Sequence, residues 1–438
     1  MADRVILMGV DGLDWVRLRE GIARGALPHF AEVLGSGAYA EVAVRSAVPG
    51  LSSTEHGMVS PVLWTSVASG CYYFRHGVYD FRNGMLGAYP PPLFESSHVR
   101  AARIWDILTL HDMASLVVGY YVTHPAYPIK GVMVSDLFGE VQSRDAVWPP
   151  SRLDELAARL GSTDYEALLR DWSTIGQESV VLSNAPQQSE GMAEFERDIL
   201  HRFTGLSEDE IARLYSTENP RFGQLIRYRL IYPYLRDDRF HRLFLTLLPE
   251  ENWRFATVYY RLVDFVSHGF WERGHAFSDD YLRRYGQVVD KAYAWIDQCL
   301  GEIRAGLRPG DRLVILSDHG FTAKPGDQHL TDTGDISDFG YAEHAEPAVL
   351  IVAGGPARGE IRNVSLLDIG PSILDALGLA HAETFDGGPV PKLLHADAPR
   401  ALPRVPEYPY TPPQLSASMT PGEEQAILSR LAALGYIE

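Results

Sequence analysis

Five short apolar runs punctuate the chain, and each stops abruptly at an acid, a glycine or a histidine. "RVILMGVDG" ends at Asp11 and its glycine, "SLVVGYYVTHP" at His124-Pro125, and "FATVYYRLVD" at Asp264. "DRLVILSDHG" ends at Asp318-His319, and "PAVLIVAGG" at two glycines. Continuous aliphatic and β-branched runs of this length predict strands buried on both faces, hence a largely parallel sheet covered by helices. The segments between them carry helical spacing: "LPHFAEVLGSG", "ARIWDILTLH", "YLRRYGQVVDKAYAWIDQCLGEIRAG" and "LLDIGPSILDALGL". Such alternation predicts an α/β doubly wound fold, in which ligands bind at the carboxyl ends of the strands. Asp11, Asp264, Asp318 and His319 all fall at such ends.

The pattern changes between about 143 and 245. "WPPSRLDELAARLGSTDYEALLRDW" and "EFERDILHRFTGLSEDEIARLYS" are charged and amphipathic, with few strand signals. The expected organisation is a core in two parts, 1–142 and 246–390, interrupted by a mostly helical cap insertion at 143–245. Residues 391–438 form a Pro-rich surface tail, "DAPRALPRVPEYPYTPP", and a C-terminal helix in which Pro421 and Glu423-Glu424 suit the first turn.

Composition narrows the chemistry. The 438 residues carry 57 acidic against 39 basic side chains, a net charge of -18. That balance argues against binding a nucleic-acid duplex, which calls for a basic surface. An anionic substrate still fits if some carboxylates hold divalent cations, because the local field then inverts. The two cysteines, Cys71 and Cys299, allow no thiolate zinc cluster. No run approaches the roughly 18 apolar residues of a membrane span, and "MADRVILMGVDG" does not read as a signal peptide. The expectation is a soluble cytoplasmic protein with a small-molecule partner and no membrane.

Taken singly, the polar residues at the strand ends have ordinary readings. Asp11 before a glycine suits a turn or a cap, and Asp318-His319 in "SDHG" suits a strand terminus. Asp264 and His268 stand at i, i+4 in "VDFVSH" and meet if that segment is helical. A carboxylate with an imidazole suits zinc, manganese or iron. His344 in "GYAEHAEP" precedes another buried run. "VSPVLWTSVASG" offers four hydroxyls, Ser60, Thr65, Ser66 and Ser69. The weight lies in the ordered set, with every member beside a strand end.

That set resembles the alkaline phosphatase superfamily, within it the type I phosphodiesterase/nucleotide pyrophosphatase branch. The residues that carry the resemblance are "GVDG", "SPVLWTSVASG" followed by "RHGVYDF", "VDFVSH", "SDHG" and "EHAEPAVLIVAGG", with "LLDIGPSILDALGL" and "LAALGYIE" beyond them. It implies an alkaline-phosphatase-like sheet between helices and two divalent metal ions, zinc first, with manganese or iron as alternatives. Asp264, His268 and His344 would hold one ion. Asp11, Asp318 and His319 would hold the other, together with the nucleophile hydroxyl. In this branch the nucleophile lies ten residues before the closing glycine, which from Gly70 gives Ser60. Pro61 would stiffen the loop, and a helix starting near Leu63 would aim its positive end at the phosphate.

The implied activity is cleavage of a phosphodiester or pyrophosphate of a small molecule, a nucleotide among them, through a phosphoserine. Alternatives on the same site are a phosphomonoesterase or phosphonate hydrolase, and a cofactor-independent phosphomutase. Relatives usually carry asparagine three residues after the nucleophile, where this chain has Leu63. Sulfatases need a cysteine or serine followed by Pro and Arg at fixed spacing, and "SPVLW" has no arginine there. A monoester dianion calls for an extra cation, and Arg75, Arg82 and Arg261 are placed for it by sequence. Of the remaining histidines, His76 reads as structural, and His56, His124, His275 and His329 as loop residues near the motifs. Tyr72, Tyr73, Phe74 and Trp64 read as core.

Overall fold

The computed structural model describes residues 4–44, 58–84, 91–169, 194–214, 226–250, 252–275, 277–324, 342–394, 404–414 and 419–433. The apolar runs form the strands of one mixed sheet: β1 (Val5–Val10), β2 (Ala38–Ala43), β3 (Ser115–Val118), β4 (Gly131–Val134), β5 (Val147–Trp148), β6 (Phe255–Tyr260) and β7 (Arg312–Leu316). A separate hairpin, β8 (Gly320–Ala323) with β9 (Ala342–Ala345), precedes β10 (Ala348–Ala353), and the pairs β11 (Gly359–Glu360) and β12 (Val364–Ser365) complete the sheet. The spatial order is β11-β2-β10-β7-β1-β6-β3-β4-β5, with β12 also on β2. The central strands β7, β1, β6, β3 and β4 run parallel, while β10 is antiparallel to both neighbours and β5 is antiparallel to β4.

Strand β1 is buried at all six positions because helices cover both faces. Ile6, Met8 and Val10 point into one core with Leu18, Phe30, Val266, Ile296 and Leu300. Val5 and Leu7 point into the other with Trp64, Val67, Ile104 and Ile373. Each fully buried aliphatic side chain of this kind contributes about 1.5–3 kcal/mol. The first layer therefore holds helices Trp15–Ala23, Pro28–Ser36, Leu262–Phe270 and Val288–Ala305, and the second holds Ser60–Ser69, Ile104–Leu110 and Ile369–Ala376.

One expected helix differs in detail. The spacing from Tyr281 to Gly306 predicts one helix, but the chain makes two, Asp279–Tyr285 and Val288–Ala305. They part at Gly286, the residue least able to hold a helix interior. Within 143–245 the described elements include helices Leu153–Arg159, Glu194–Phe203, Glu208–Leu214 and Tyr232–Leu247, and also β5 at the sheet edge. The tail returns to the fold where Arg404–Val405 pairs with His381–Ala382, and helix Pro421–Ala433 follows. Among the described residues, no helix is long and apolar enough to cross a membrane.

Candidate metal centre

Three adjacent parallel strands deliver the acids. Asp11 follows β1 and Asp318 lies just past β7, both essentially inaccessible to solvent. Asp264 sits in helix Leu262–Phe270, which starts two residues before it rather than after it. The reason is Asp237, whose Oδ2 accepts the backbone N–H groups of Arg261 and Leu262 at 2.7 Å each. These N–H groups have no partner inside the helix, so Asp237 caps it from a distance and fixes the turn that carries Asp264 and His268. Arg236 Nη1 donates to the other oxygen of Asp237 at 2.9 Å, and burial pushes that carboxyl up to about 6.

The histidines share one orientation. His268 Nδ1 lies 3.3 Å from the carbonyl of Ala342, His344 Nδ1 2.8 Å from that of Met58, and His319 Nδ1 3.1 Å from that of Gly320. A carbonyl only accepts, so each Nδ1 carries a proton and Nε2 is the nitrogen left to ligate a cation. All three Nε2 atoms converge on the acids. His268 and His344 Nε2 lie 3.4 and 3.3 Å from Asp264 Oδ1. His319 Nε2 lies 3.3 Å from Asp11 Oδ1, 3.6 Å from Asp318 Oδ2 and 4.0 Å from Asp264 Oδ1. His319 is thus within reach of both acid sets, and its shorter distances group it with Asp11 and Asp318.

Ser60 completes the cluster, with its Oγ donating to Asp11 Oδ1 at 3.3 Å. It is the first residue of helix Ser60–Ser69, so the helix starts three positions earlier than expected and Pro61 lies inside its first turn. Proline is at home there, because the N–H it lacks has no helical partner. The hydroxyl therefore sits at the positive end of a ten-residue helix. The other hydroxyls are occupied: Thr65 donates to the Pro61 carbonyl at 2.6 Å and Ser69 to that of Thr65 at 2.7 Å. Ser66 Oγ meets His76 Nε2 at 3.0 Å, while His76 Nδ1 accepts from Val78 N at 3.2 Å. His76 is buried, held down to about 3 by that burial, and ties the following loop to the helix.

This donor set fits cations. Asp318 Oδ2 and His319 Nε2 are buried with no hydrogen-bond partner among the described residues, a costly arrangement unless something positive accepts their lone pairs. Burial, then the neighbouring Asp11, pushes the Asp318 carboxyl well above its usual range. Burial raises Asp264 too, but His268 and His344 beside it hold it well below. Burial, helped by the neighbouring His344 and Arg229, takes His268 down to about 4 against the pull of Asp264. Imidazoles oriented by their Nδ1 contacts, three carboxylates and a hydroxyl are ligands for borderline or hard divalent ions, zinc included.

Three supporting residues are not readable from the sequence. The Tyr259 hydroxyl donates to Asp11 Oδ2, behind the cluster. The Phe321 ring stands edge-on to His268, His319 and His344, at 5.0, 5.6 and 5.4 Å between centroids. It also explains Gly12, whose φ is +69° and where a Cβ would meet Phe321 at 2.5 Å. Asp237 is the third. A sequence signal exists only for Gly12, as the glycine after Asp11.

The other residues singled out by sequence lie elsewhere or play other parts. Arg75 pairs with Asp386 at 3.0 Å and, with Arg100, Phe385 and Tyr408, lines a cavity of about 320 Å³ containing Cys71. That cavity adjoins the far end of helix Ser60–Ser69. Arg82 forms an isolated β-bridge to Leu93, and its buried Nε has no hydrogen-bond partner among the described residues. His124 is buried, with Nδ1 3.3 Å from Ser135 Oγ, and His275 packs near Phe277. Trp64 is core, but Phe74 is 56% exposed, because its short helix ends at the surface. His56 and His329 lie outside the described residues.

The family model of type I phosphodiesterases/nucleotide pyrophosphatases matches residues 5–370. Wild-type alkaline phosphatase PafA and a substituted form of it have similar solved structures, with TM-scores of 0.53 and 0.54 at 12% identity. Each comparison covers 89% of this chain and 98% of that one, and at this identity it shows a shared fold. No curated protein matches the sequence.

Proposed function

From a chain that belongs to the type I phosphodiesterase/nucleotide pyrophosphatase family and so is a phosphoester hydrolase, we propose a two-metal enzyme that cleaves a phosphodiester or pyrophosphate of a small molecule through Ser60. The observation that carries this reading is the set of three Nδ1-protonated imidazoles whose Nε2 atoms converge on Asp11, Asp264 and Asp318. Asp264, His268 and His344 would hold one cation, and Asp11, Ser60, Asp318 and His319 the other. When bound, the cations lower the pKa of the serine hydroxyl and neutralise charge on the attacking and leaving oxygens.

The chain's own groups perform the rest. Ser60 Oγ, whose proton faces Asp11 Oδ1 in the resting arrangement, gives that proton to solvent and attacks phosphorus. The Oγ–P bond forms as the bond to the leaving oxygen breaks, giving phosphoserine. The positive end of helix Ser60–Ser69, where Ser60 stands, favours the anionic phosphoryl group, and a water then attacks phosphorus and releases Ser60. Ser66, Thr65 and Ser69 do not compete, since each is committed within or beside the helix.

The test is metal analysis of the purified protein joined to turnover of bis-p-nitrophenyl phosphate and p-nitrophenyl phosphate. The proposal expects two divalent ions per chain and faster diester cleavage. Turnover undiminished by complete chelation would overturn it.

A further inference from the structure

We propose that Arg261 is a specificity-determining residue, whose guanidinium binds a second anionic group of the substrate, phosphoryl or carboxylate, beyond the phosphorus attacked at Ser60. The inference rests on the functional reading above and names the substrate class for that site. Arg261 is 9% exposed and directly follows β6, three residues before Asp264. Its Cζ lies 4.1 Å from the ring centre of Tyr121 and 5.8 Å from that of Tyr259. Tyr259 in turn donates to Asp11, so the guanidinium stands one tyrosine ring away from the acid cluster.

What marks Arg261 is its lack of acceptors. Buried Arg17 pairs with Glu272 and Asp290, Arg227 with Glu196, and Arg236 with Asp237 and two carbonyls. Arg103 donates to the Val122 carbonyl and the Tyr127 hydroxyl. The Arg261 guanidinium makes no hydrogen bond among the described residues, and its Nε is fully buried. The carboxylate nearest it, Asp136, is 3.9 Å away, too far for a hydrogen bond. Asp136 is moreover committed, accepting the N–H groups of Val122, Thr123 and His124 at 3.0, 3.1 and 2.9 Å.

A buried cation with unused donors is costly, and stacking on Tyr121 offsets only part of that cost. An anionic oxygen from a ligand supplies the missing acceptor, and the planar guanidinium fork suits phosphate or carboxylate. The setting favours this function, because the protein as a whole is strongly acidic and an anion needs a local cation to approach.

The test uses metal-loaded protein carrying Ser60→Ala, so that ligands bind without turnover, with and without Arg261→Met, which keeps the length and apolar body of the side chain. Inorganic pyrophosphate and inorganic phosphate are titrated calorimetrically. Expected is a loss of at least about tenfold in pyrophosphate affinity in the Met variant, with phosphate affinity within about threefold, and partial recovery in Arg261→Lys. Equal loss for both anions, or none for either, overturns the proposal. Turnover by Ser60→Ala would instead sink the functional reading, while the binding comparison still decides the role of Arg261.

Discussion

The Nε2 atoms of His268 and His344 lie 2.9 Å apart, and both imidazoles have committed their Nδ1–H to backbone carbonyls, so Nε2 is the nitrogen each has left to offer a cation. When both are unprotonated, their lone pairs repel at that separation, and a shared cation turns the repulsion into ligation. Metal removal therefore destabilises the fold as well as the activity. Chelation should lower the melting temperature by several degrees, and zinc or manganese should restore it, as expected for a ligand that binds only the folded state. Identical melting with and without chelator would contradict this.

Phe321 supports all three imidazoles at once, so shortening it disturbs the ligands without touching them. Phe321→Ala should weaken metal binding by about 10–100-fold, judged by competition with a chromophoric chelator. It should also cost about 3–5 kcal/mol of stability, with Phe321→Leu intermediate in both. Unchanged metal affinity in a folded alanine variant would assign Phe321 to packing alone.

Gly12→Ala meets two obstacles, a φ of +69° and a Cβ 2.5 Å from the Phe321 ring. A left-handed non-glycine residue costs about 1–2 kcal/mol before any clash. The variant should lose both stability and metal affinity, and the double variant Gly12→Ala with Phe321→Leu should lose less affinity than the two single effects combined. Simple additivity would show that the clash is absorbed elsewhere.

Asp237 supplies a pH dependence remote from the metal ligands. Burial raises its folded-state pKa from the usual 3.8 to about 6, against the pull of Arg236 and the two backbone N–H groups. Between those values the folded chain holds the proton more tightly than the unfolded chain. Its contribution is thus fully present below about pH 4 and is lost as pH rises through 6, by about 3 kcal/mol in total. Asp237→Asn should remove this slope, so that wild type loses stability relative to the variant between pH 4 and 6. Parallel melting curves across that range would refute it.

The sequence carried the strand ends well because buried parallel strands are written as unbroken apolar runs, and the acids that stop them stand out. Asp11, Ser60, Asp264, His268, Asp318, His319 and His344 all meet in the folded chain. What it hid depends on contacts between distant segments. The start of helix Ser60–Ser69 could not be placed, since every residue of that helix is buried and no amphipathic edge marks its first turn. Asp237, Phe321 and Tyr259 act through partners far away in the chain, and nothing in their neighbours' spacing reports it. Arg261 was visible only as one arginine among three; its distinction is a buried guanidinium stacked on Tyr121 without a hydrogen-bond acceptor, which only three dimensions show.

Ser60 is expected to become covalently phosphorylated during turnover. Metal-loaded enzyme mixed with bis-p-nitrophenyl phosphate, quenched in acid within the first turnover and digested, is analysed by peptide mass spectrometry. A phosphoryl adduct on Ser60 is expected in the wild type, and neither adduct nor turnover in Ser60→Ala. Sustained turnover by Ser60→Ala, or an adduct on a different residue, would contradict it.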